Sequence, residues 1–536
     1  MAEEIELKLR MPPSQLQKLR RHPLIRALAQ GKASNDHLVS TYFDTPDFRL
    51  RERRIALRIR EKGDRRIQTL KVPPGGLCAA SGGTANGPAG QDGAQHHLEF
   101  ETDVTGDKPD LDAISDEGIR SVLTEKGVGD QLEPAFTTKI DRRTLPLLMA
   151  DSRIELALDE GSIVANGKSL PIAEAELELL SGQPERLYEI ALLLNETLPL
   201  IIERETKAAR GYKLYQGQIP EPVTAIKPKL HKEMSVAEGF SAAARACLAH
   251  MRANEAAVLH GEDPEGVHQL RVAVRRFRAL VSMFKGYLEG EAADYLAEEL
   301  RWLQRSLGDA RDLDVFLEET LAPLQRRMPN DEGLRGLAAT ATALRHDAYA
   351  HAGEVLHDPR YTRFLLRVHL WLANGAWFSE SGPEGRGPAK LSLILHASHL
   401  LRRRARKLKK LGRRHATMSE MEMHEVRIAA KKLRYGVDFF RDIFDLGAVK
   451  AYLSHLKDLQ ELLGTLNDAV IGERLLAMID ARLGRAKQRA SSRTAAGIVL
   501  GWQAGRIEQS LKHFALAWED YETAKAFWKS PAKRKA

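Results

Sequence analysis

The segment Glu4-Ile5-Glu6-Leu7-Lys8, close to the start of this 536-residue chain, alternates charged and apolar residues with a period of two. In a β-strand, this period places Glu4, Glu6 and Lys8 on one face and the two apolar residues on the other. Two carboxylates beside an ammonium group suit a divalent cation next to an anionic ligand. The segment therefore predicts a strand whose charged face carries chemistry.

Other segments of the first two hundred residues repeat this alternation. An acidic example runs from Glu174 to Leu179, and basic examples are Arg58-Ile59-Arg60 and the segment around Lys71. Each favours a strand with charge on one face and apolar side chains on the other. Together they indicate a set of strands arranged around a shared charged space.

Length, charge and composition set broad limits. The length suggests two to four domains, and 43% hydrophobic with 29% charged residues is typical of a soluble globular protein. The net charge of +8 favours polyanionic partners. Two widely separated cysteines indicate no disulfide framework, and the chain shows neither a signal segment at its start nor an apolar run of eighteen residues. We therefore expect a cytoplasmic protein with no membrane contact.

The chain changes character near residue 218. Short alternating runs precede this point, and long Ala/Leu/Arg/Glu segments with helical spacing follow it to about residue 525. We predict a strand-rich domain over 1–217, a proline-containing linker over 218–228, a helical domain over 229–525 and a basic tail over 526–536. Within the first domain, the Gly/Ala/Ser-rich stretch Pro73–Ala94 is interpreted as a loop or low-complexity insertion.

The helical half contains an internal repeat. His268-Gln269-Leu270-Arg271 recurs as His424-Glu425-Val426-Arg427, and a Leu-Gly…Asp pattern ending at Asp312 recurs with its last residue at Asp468. Both offsets are 156 residues. We infer a duplicated helical unit with copies near 268–312 and 424–468.

Basic residues in each copy follow a helical period and form what we call the two basic seams. The seams consist of His268, Arg271, Arg275 and Arg278 in the first copy and of His424, Arg427, Lys431 and Arg434 in the second. Because unpaired charge is costly to bury, such a seam faces solvent, acidic partners or a bound anion. Guanidinium groups bind phosphate oxygens in a bidentate manner, so two matched seams favour polyphosphate binding over a solvated helix face. The leading histidines fit either an anion contact or a structural hydrogen bond.

A third basic element is the segment Arg402–Arg414, in which nine of thirteen residues are Lys or Arg. A solvated helix and a nonspecific nucleic-acid patch both remain open for it. The segment lacks the aromatic residues that stack on single-stranded bases. We do not expect specific nucleic-acid binding.

The ordered motifs of the first half resemble the CYTH domain, the family of triphosphate tunnel metalloenzymes. Glu4, Glu6 and Lys8 match its Glu-x-Glu-x-Lys signature, and the remaining motifs follow in family order: Tyr42 to Thr45, Leu57 to Arg60, Thr69 to Lys71, Glu99 to Glu101, Phe136 to Thr138, Leu158 to Gly161, Glu174 to Glu178 and Lys207 to Tyr212. The helical half resembles a CHAD domain through its two His-x-x-Arg helices. The pairing is similar to that of bacterial inorganic triphosphatases.

The resemblance implies an antiparallel eight-stranded β-barrel with a charged tunnel and helices, followed by an all-α duplicated helical bundle. It implies Mg²⁺ or Mn²⁺ at Glu4, Glu6, Asp159, Glu176 and Glu178, with Lys8, Glu4 and Glu6 as catalytic residues. It assigns the grip on triphosphate to Lys8, Arg58, Arg60, Lys71, Arg142, Lys207 and Arg210. His97, where relatives often carry Arg, and the insertion Pro73–Ala94 are departures from the family pattern.

The leading functional hypothesis is metal-dependent hydrolysis of inorganic triphosphate to diphosphate and phosphate, with binding of long-chain polyphosphate by the helical domain. Three alternatives stay open: a class IV-type adenylate cyclase or another nucleoside or thiamine triphosphatase, a noncatalytic protein that binds polyphosphate or targets its granules, and a nucleic-acid binder. The attached helical domain argues against the cyclase. The full acidic set argues against a noncatalytic role, and only net charge supports the nucleic-acid binder.

Overall fold

The computed structural model describes residues 5–72, 98–114, 116–124, 127–225, 227–379, 387–414, 418–483 and 486–528. Glu4, the insertion Pro73–Ala94, His97 and the tail from residue 529 onward lie outside these ranges. The chain divides into two compact units, Met1–Ile219 with Leu356–Gly375 (unit 1) and Pro220–Val355 with Ala376–Ala536 (unit 2). No helix among the described residues combines the length and the apolar character that crossing a bilayer requires.

The described residues of unit 1 form one antiparallel sheet of nine strands. The strands are β1 (Ile5–Arg10), β2 (Ser34–Asp44), β3 (Ala56–Lys62), β4 (Arg65–Val72), β5 (Leu98–Val104), β6 (Glu133–Met149), β7 (Ser152–Ala165), β8 (Lys168–Ser181) and β9 (Ile201–Glu203). Their spatial order is β5-β4-β3-β2-β6-β7-β8-β1-β9. The predicted antiparallel β domain, followed by a helical region, is confirmed.

The sheet differs from the expected eight-stranded barrel in its closure. Among the described residues, β5 and β9 form its two edges and are not paired with each other. The physical reason lies at β1, where the short strand β9 pairs with one side and β8 pairs with the other. Because β9 occupies Lys8–Arg10 of one edge of β1, only Ile5–Leu7 of that edge would be left for β5 to pair with.

The helices, numbered in chain order, are divided between the two units. Unit 1 contains α1 (Pro13–Arg20), α2 (Pro23–Leu28), α3 (Arg49–Glu52), α4 (Glu117–Thr124), α5 (Glu185–Leu194), α6 (Lys207–Gln216) and α13 (Pro359–Asn374). Unit 2 contains α7 (Val236–His260), α8 (Pro264–Phe284), α9 (Gly290–Ser306), α10 (Gly308–Val315), α11 (Ala322–Arg327), α12 (Glu332–His357), α14 (Leu393–Gly412), α15 (Glu420–Phe440), α16 (Leu446–Arg482) and α17 (Ala486–Thr523).

A helix from the second half of the sequence completes unit 1. The ring of His369 on α13 stacks on Tyr188 of α5 with centroids 5.6 Å apart, and the Thr362 hydroxyl donates a hydrogen bond of 2.5 Å to the carbonyl of Leu200. Asn195 donates a further bond of 2.9 Å to the carbonyl of Pro359. Residues 356–375 therefore belong structurally with the β unit, which a division of the chain near residue 218 does not anticipate.

The duplication in unit 2 extends to the bounds of its elements. Helices α8 and α15 are both 21 residues long and start 156 residues apart, at Pro264 and Glu420. Helices α9 and α16 start at the same offset, at Gly290 and Leu446. The copies then diverge, because α9 ends at Ser306 whereas α16 continues unbroken through the equivalent position.

Packing continues beyond the last helix of unit 2. Trp528 is 3% exposed and lies against Tyr452, with ring centroids 4.8 Å apart. The folded part of the chain therefore extends at least to residue 528, into the segment assigned to the basic tail.

Candidate active site and anion-binding groove

The strand register of unit 1 collects the charged side chains on one face of the sheet, which we call the charged face. Lys8 lies opposite Glu176, Arg142 opposite Asp159, and Arg58 opposite Thr69. The face comprises Glu6, Lys8, Ser40, Tyr42, Arg58, Arg60, Thr69, Lys71, Glu99, Glu101, Arg142, Asp159, Glu174, Glu176 and Glu178. Leu7, Leu9 and Leu177 on the opposite face are fully buried, which anchors the strands in this orientation.

Three carboxylates on β7 and β8 form the acidic cluster of this face. Oxygen atoms of Asp159, Glu174 and Glu176 lie within 4.8 Å of one another, and all three residues are buried. Buried carboxylates need opposite charges or hydrogen-bond donors nearby. Two cationic side chains, from β6 and α6, meet that requirement.

Arg142 and Lys207 neutralise the acidic cluster. Arg142 donates to both oxygens of Asp159 at 2.7 and 2.6 Å and to Glu176 at 2.5 Å. The ammonium of Lys207 lies 2.7 Å from Asp159 and 2.8 Å from Glu176, and it also pairs with Glu174. Two residues predicted to hold triphosphate are therefore paired, in this structure, with residues predicted to hold metal.

These ion pairs control the ionisation of the cluster. Burial raises the pKa of the Glu176 carboxyl, but Lys207, Arg142 and Lys8 outweigh it and hold that pKa well below its usual range. Burial lowers the pKa of the Lys207 ammonium. The carboxylates of Asp159, Glu176 and Glu174 raise it by more, so the net shift is upward. The cluster is thus a set of anions and cations that stabilise each other's charged forms.

Helix α6 brings Lys207 and Arg210 onto the charged face. Its first turn is capped by Thr206, whose side chain accepts a hydrogen bond from the amide of Ala209 at 3.0 Å. The helix approaches the sheet so closely at Gly211 that a Cβ there would lie 2.1 Å from the ring of Phe136. Arg210 then reaches Glu174 at 2.5 Å, so its main partner in the structure is a carboxylate.

Strand β1 adds an acid and a base beside the cluster. Lys8 lies 2.7 Å from Glu6 and 3.7 Å from Glu176, and both Glu6 and Lys8 are buried. Glu178 is opposite Glu6 in the register and half-buried, so it shares the face but lies outside the three-carboxylate cluster. Glu4, predicted as a ligand and catalytic residue, lies outside the described residues.

Basic residues dominate the part of the charged face that lies on strands β3 and β4. Arg58 lies 3.3 Å from Glu99 and 3.4 Å from the hydroxyl of Tyr42, and Lys71 lies 3.0 Å from Glu99. Arg60 donates to the hydroxyl of Ser40 at 3.3 Å and has no carboxylate within 4.0 Å among the described residues. Burial, followed by the neighbouring Arg58, lowers the pKa of Arg60 to about 10. A bound anion would relieve this uncompensated charge.

Arg142 links the basic and acidic parts of the face. Its positive charge is close enough to Arg58 and Arg60 to disfavour their protonated forms. It also contacts the carboxylates of Asp159 and Glu176. An anion that binds Arg58 and Arg60 would therefore lie beside the carboxylate cluster. This juxtaposition matches the combination of cation and anion sites that the alternating strands predict.

Glu174, Ser40 and Tyr42 were not assigned roles in the sequence-based site, and the structure brings all three to it. Glu174 stands two residues before Glu176, so the period-two signal was present, but nothing in the alternation distinguishes a ligand from a partner for Arg210. Ser40 and Tyr42 are neutral and give no charge signal. Their placement follows from pairing with Arg60 and Arg58 across β2 and β3.

The residues at the acidic cluster fit a hard divalent cation. Asp159, Glu174 and Glu176 offer only oxygen atoms, which Mg²⁺ and Mn²⁺ prefer, and their oxygens already converge. Lys207 and Arg142 occupy the same carboxylates, so a bound cation would compete with these two side chains.

In unit 2, the two basic seams lie on helices that pack side by side. Arg275 of α8 donates to the hydroxyl of Tyr435 on α15 at 3.4 Å, and its charge affects both Arg427 and Lys431. Seven of the eight seam residues are half-buried, and His424 is exposed. The seams therefore form one partly buried basic surface across the two adjacent helices, which we call the seam groove.

The repeated aspartates lie beside the seam arginines. Arg271 lies 3.5 Å from Asp312, which is also held by Arg474 at 2.8 Å, and Asp468 is the corresponding neighbour of Arg427. Asp438 lies 3.9 Å from Arg434 as well, but these three aspartates are fewer than the six Lys and Arg residues of the seams, which leaves the groove predominantly positive. Burial, followed by Arg427, Arg275 and Arg434, lowers the pKa of Lys431 to about 8. The groove thus holds more positive charge than its own carboxylates neutralise.

The chain carries two known domains: residues 2–212 match the CYTH domain and residues 242–477 match the CHAD domain. Among curated proteins, it is 29% identical over 223 residues to the inorganic triphosphatase of Haemophilus influenzae. That match covers 41% of this chain and 56% of the relative, so the chain spans just over half the length of the curated protein that it matches.

Several solved structures are similar to part of this chain. The CHAD domain from the plant Ricinus communis is 28% identical and covers 57% of this chain and 98% of its own, with a TM-score of 0.49. PptA from Streptomyces chartreusis is 18% identical over 53% of this chain and 99% of its own, with a TM-score of 0.40. HpAC1 from Hippeastrum, a putative adenylyl cyclase with a dominant triphosphatase activity, is 21% identical over 40% of this chain and 96% of its own, with a TM-score of 0.29.

Proposed function

We propose that unit 1 hydrolyses inorganic triphosphate to diphosphate and phosphate with Mg²⁺ or Mn²⁺, and that unit 2 binds long-chain polyphosphate. The observation that carries the first proposal is the placement of Arg58, Arg60 and Arg142 on the same sheet face as the buried cluster of Asp159, Glu174 and Glu176. The CYTH match and a relative named as an inorganic triphosphatase support it.

The residues of the charged face would divide the work between binding and orientation. Arg58, Arg60 and Lys71 would hold phosphate oxygens, because charge-assisted contacts to phosphate are strong and directional. Arg142 and Lys207 would exchange carboxylate partners for phosphate oxygens as the anion enters. Lys8, held by Glu6, would position the end of the triphosphate beside the acidic cluster. Arg210 would keep Glu174 in place.

A divalent cation held by Asp159, Glu174 and Glu176, with Glu6 and Glu178 nearby, would supply charge neutralisation and Lewis-acid activation of water. Phosphoryl transfer depends mostly on positioning and electrostatic stabilisation. The chain's own contribution is therefore a rigid set of cations on β3, β4 and β6. These cations lie on the same sheet face as the carboxylates on β7 and β8.

The second proposal is carried by the seam groove. Arg275 joins the two seams, and its neighbours Arg427 and Lys431 lack enough carboxylates to balance them. A flexible chain of phosphates would supply the missing negative charge along both helices. The CHAD match supports this assignment, and binding to polyphosphate granules in the cytoplasm is its cellular prediction.

The decisive test measures phosphate release and cyclic nucleotide formation by the full chain with Mg²⁺ or Mn²⁺. The substrates are inorganic triphosphate, ATP, thiamine triphosphate and long-chain polyphosphate. We expect the highest kcat/KM for inorganic triphosphate and no cyclic AMP. Preferred turnover of ATP to cyclic AMP would replace the proposal with a cyclase, and binding of triphosphate without turnover would replace it with a noncatalytic role.

A further inference from the structure

Helix α14 carries a dense basic surface outside the seam groove. Of the nine Lys and Arg residues between Arg402 and Arg414, seven are exposed: Arg402, Arg403, Arg406, Lys407, Lys410, Arg413 and Arg414. We call these seven side chains the α14 basic face. Within the described parts of the chain, none of the seven has a carboxylate oxygen within 4.0 Å. This face is therefore not neutralised by surface ion pairs.

The opposite side of α14 fixes the orientation of this face. Leu401, Ala405 and Leu408 are buried in the core that α14 shares with α15 and α16. At Gly412 the helix meets Trp518 so closely that a Cβ would lie 1.7 Å from the indole ring. Because the helix cannot rotate about its axis without losing this packing, its basic side chains remain on the surface.

The repeat shows that the fold does not require basic residues at these positions. Helix α7 occupies the equivalent place in the first copy, 156 residues earlier. There, Cys247 stands for Arg403, Met251 for Lys407 and Asn254 for Lys410, and all three are buried. Both copies contain this helix, but these three positions are buried in the first copy and exposed in the second. The basic face is thus a property of the second copy alone.

The α14 basic face is continuous with one end of the seam groove. A guanidinium nitrogen of Arg404 donates to the backbone carbonyl of Lys432 on α15. Burial, followed by Lys407, Arg404 and the seam residue Arg278, lowers the pKa of Lys432. Lys407, Arg404 and Arg278 are therefore all close enough to repel the charge of Lys432. They form a positive path from the groove to the outer surface of α14.

We propose that the α14 basic face is a second polyphosphate-binding surface, which long chains reach after they leave the seam groove at Arg278 and Lys432. This inference rests on the proposed binding of polyphosphate by the groove. From Arg402 to its end at Gly412, α14 spans about 15 Å, at about 1.5 Å per residue. A short oligophosphate fills the groove only, whereas a long chain contacts both surfaces. The face therefore confers preference for chain length.

The test compares two triple variants of the full chain in buffer with EDTA, which prevents metal-dependent hydrolysis. All proteins, including the wild-type reference for unit 2, carry Arg58→Ala and Arg60→Ala, so that phosphate binding by unit 1 does not mask the comparison. Arg403→Gln, Lys407→Gln and Lys410→Gln remove three charges from the α14 basic face. Arg326→Gln, Arg335→Gln and Arg493→Gln remove three exposed charges from helices α11, α12 and α17, which contribute to a different core. Affinity is measured for labelled long-chain polyphosphate and for a short linear oligophosphate at several salt concentrations.

We expect the α14 variant to lose at least tenfold in affinity for the long chain. The slope of log affinity against log salt should become shallower by about two to three, because each phosphate contact contributes about 0.7–0.9. Affinity for the short oligophosphate should change less than twofold, and the control variant should match the wild type. Circular dichroism of both variants checks that the helices are retained.

Other outcomes overturn the inference in distinguishable ways. Equal losses in the two triple variants would show that only net charge matters. Equal losses for short and long chains would place the α14 residues within the groove site. An equal loss of duplex DNA binding would identify a nonspecific basic surface. If neither phosphate ligand binds the wild type, the proposed function of unit 2 fails, and this extension fails with it.

Discussion

The guanidinium group of Arg142 binds the carboxylate of Asp159 through two parallel hydrogen bonds of 2.7 and 2.6 Å. Asp159 is fully buried, and Arg142 is only 22% exposed. This pair joins the acidic and basic parts of the charged face. It also makes the site part of the fold's stability, because a buried charge that loses its partner is costly.

The first prediction concerns the stability of this pair. Asp159→Ala should lower the free energy of unfolding by about 3 kcal/mol. This value is at the lower end of the range of about 3–5 kcal/mol for a broken buried ion pair, because Arg142 retains its ion pair with Glu176. Urea unfolding followed by circular dichroism measures the change. Asp141→Ala on the same sheet removes an exposed partner of His37 and should cost about 0–1 kcal/mol. A similar small cost for both variants would contradict the structural role of Asp159.

The second prediction concerns the acid on β1. Glu6→Gln keeps the size of the side chain but removes a charge that lies 2.7 Å from Lys8 and close to the carboxylate cluster. We expect loss of most triphosphate hydrolysis with a native circular dichroism spectrum, and a lower melting temperature because buried Lys8 loses its charged partner. Glu160→Gln on β7, whose side chain lies on the opposite face, is the matched control and should keep full activity. Normal turnover by Glu6→Gln at all metal concentrations would reject the assignment.

The third prediction concerns Arg60, whose guanidinium has no carboxylate within 4.0 Å among the residues that the structure describes. Arg60→Ala should lower kcat/KM for triphosphate by roughly tenfold to a hundredfold, because a hydrogen bond to a charged group is worth about 1.5–3 kcal/mol. Steady-state kinetics measures the loss. Lys62→Ala, which removes a more exposed base on the same strand, should have little effect. If Arg60→Ala changes only thermal stability, its side chain serves the fold and does not bind substrate.

The fourth prediction is a pH dependence of polyphosphate binding by unit 2. The pKa of Lys431 is lowered to about 8, so its ammonium is present below pH 8 and is lost as the pH rises. Because only the charged form attracts phosphate, affinity should be highest below pH 8 and fall by up to about tenfold toward pH 9.5. Lys431→Arg should abolish this fall, since arginine remains protonated. A profile that is the same for both proteins would remove Lys431 from the site.

The fifth prediction separates the two proposed activities. Replacing Arg271, Arg275, Arg427 and Lys431 together by Gln should abolish polyphosphate binding by the seam groove and leave only weak binding of long chains by the α14 basic face. Triphosphate hydrolysis should stay within about twofold of the wild type. Asp312 keeps its contact with Arg474 at 2.8 Å, so the variant should retain its fold. Binding measurements and phosphate release on the same preparation test both halves. Undiminished binding of long-chain polyphosphate would contradict the assignment of the seam groove as its main site.

Local periodicity was enough to predict which side chains share a face. The alternation at Glu6 and Lys8, and at Glu174 and Glu176, determines the face of each strand because successive side chains point to opposite sides. The 156-residue offset predicted the duplicated helices, and α8 and α15 have matching bounds. These features depend on backbone geometry within short segments, so the amino-acid sequence by itself determines them.

The tertiary structure decided which charges become partners. Nothing local to Arg142 or Lys207 indicates that they pair with Asp159 and Glu176, because these contacts depend on strand register and on the approach of α6 at Gly211. The same holds for α13, whose His369 stacks on Tyr188 far away in sequence. Such contacts result from packing between distant segments. The amino-acid pattern therefore determined the kinds of groups at the site, and only the folded chain determined how they neutralise one another.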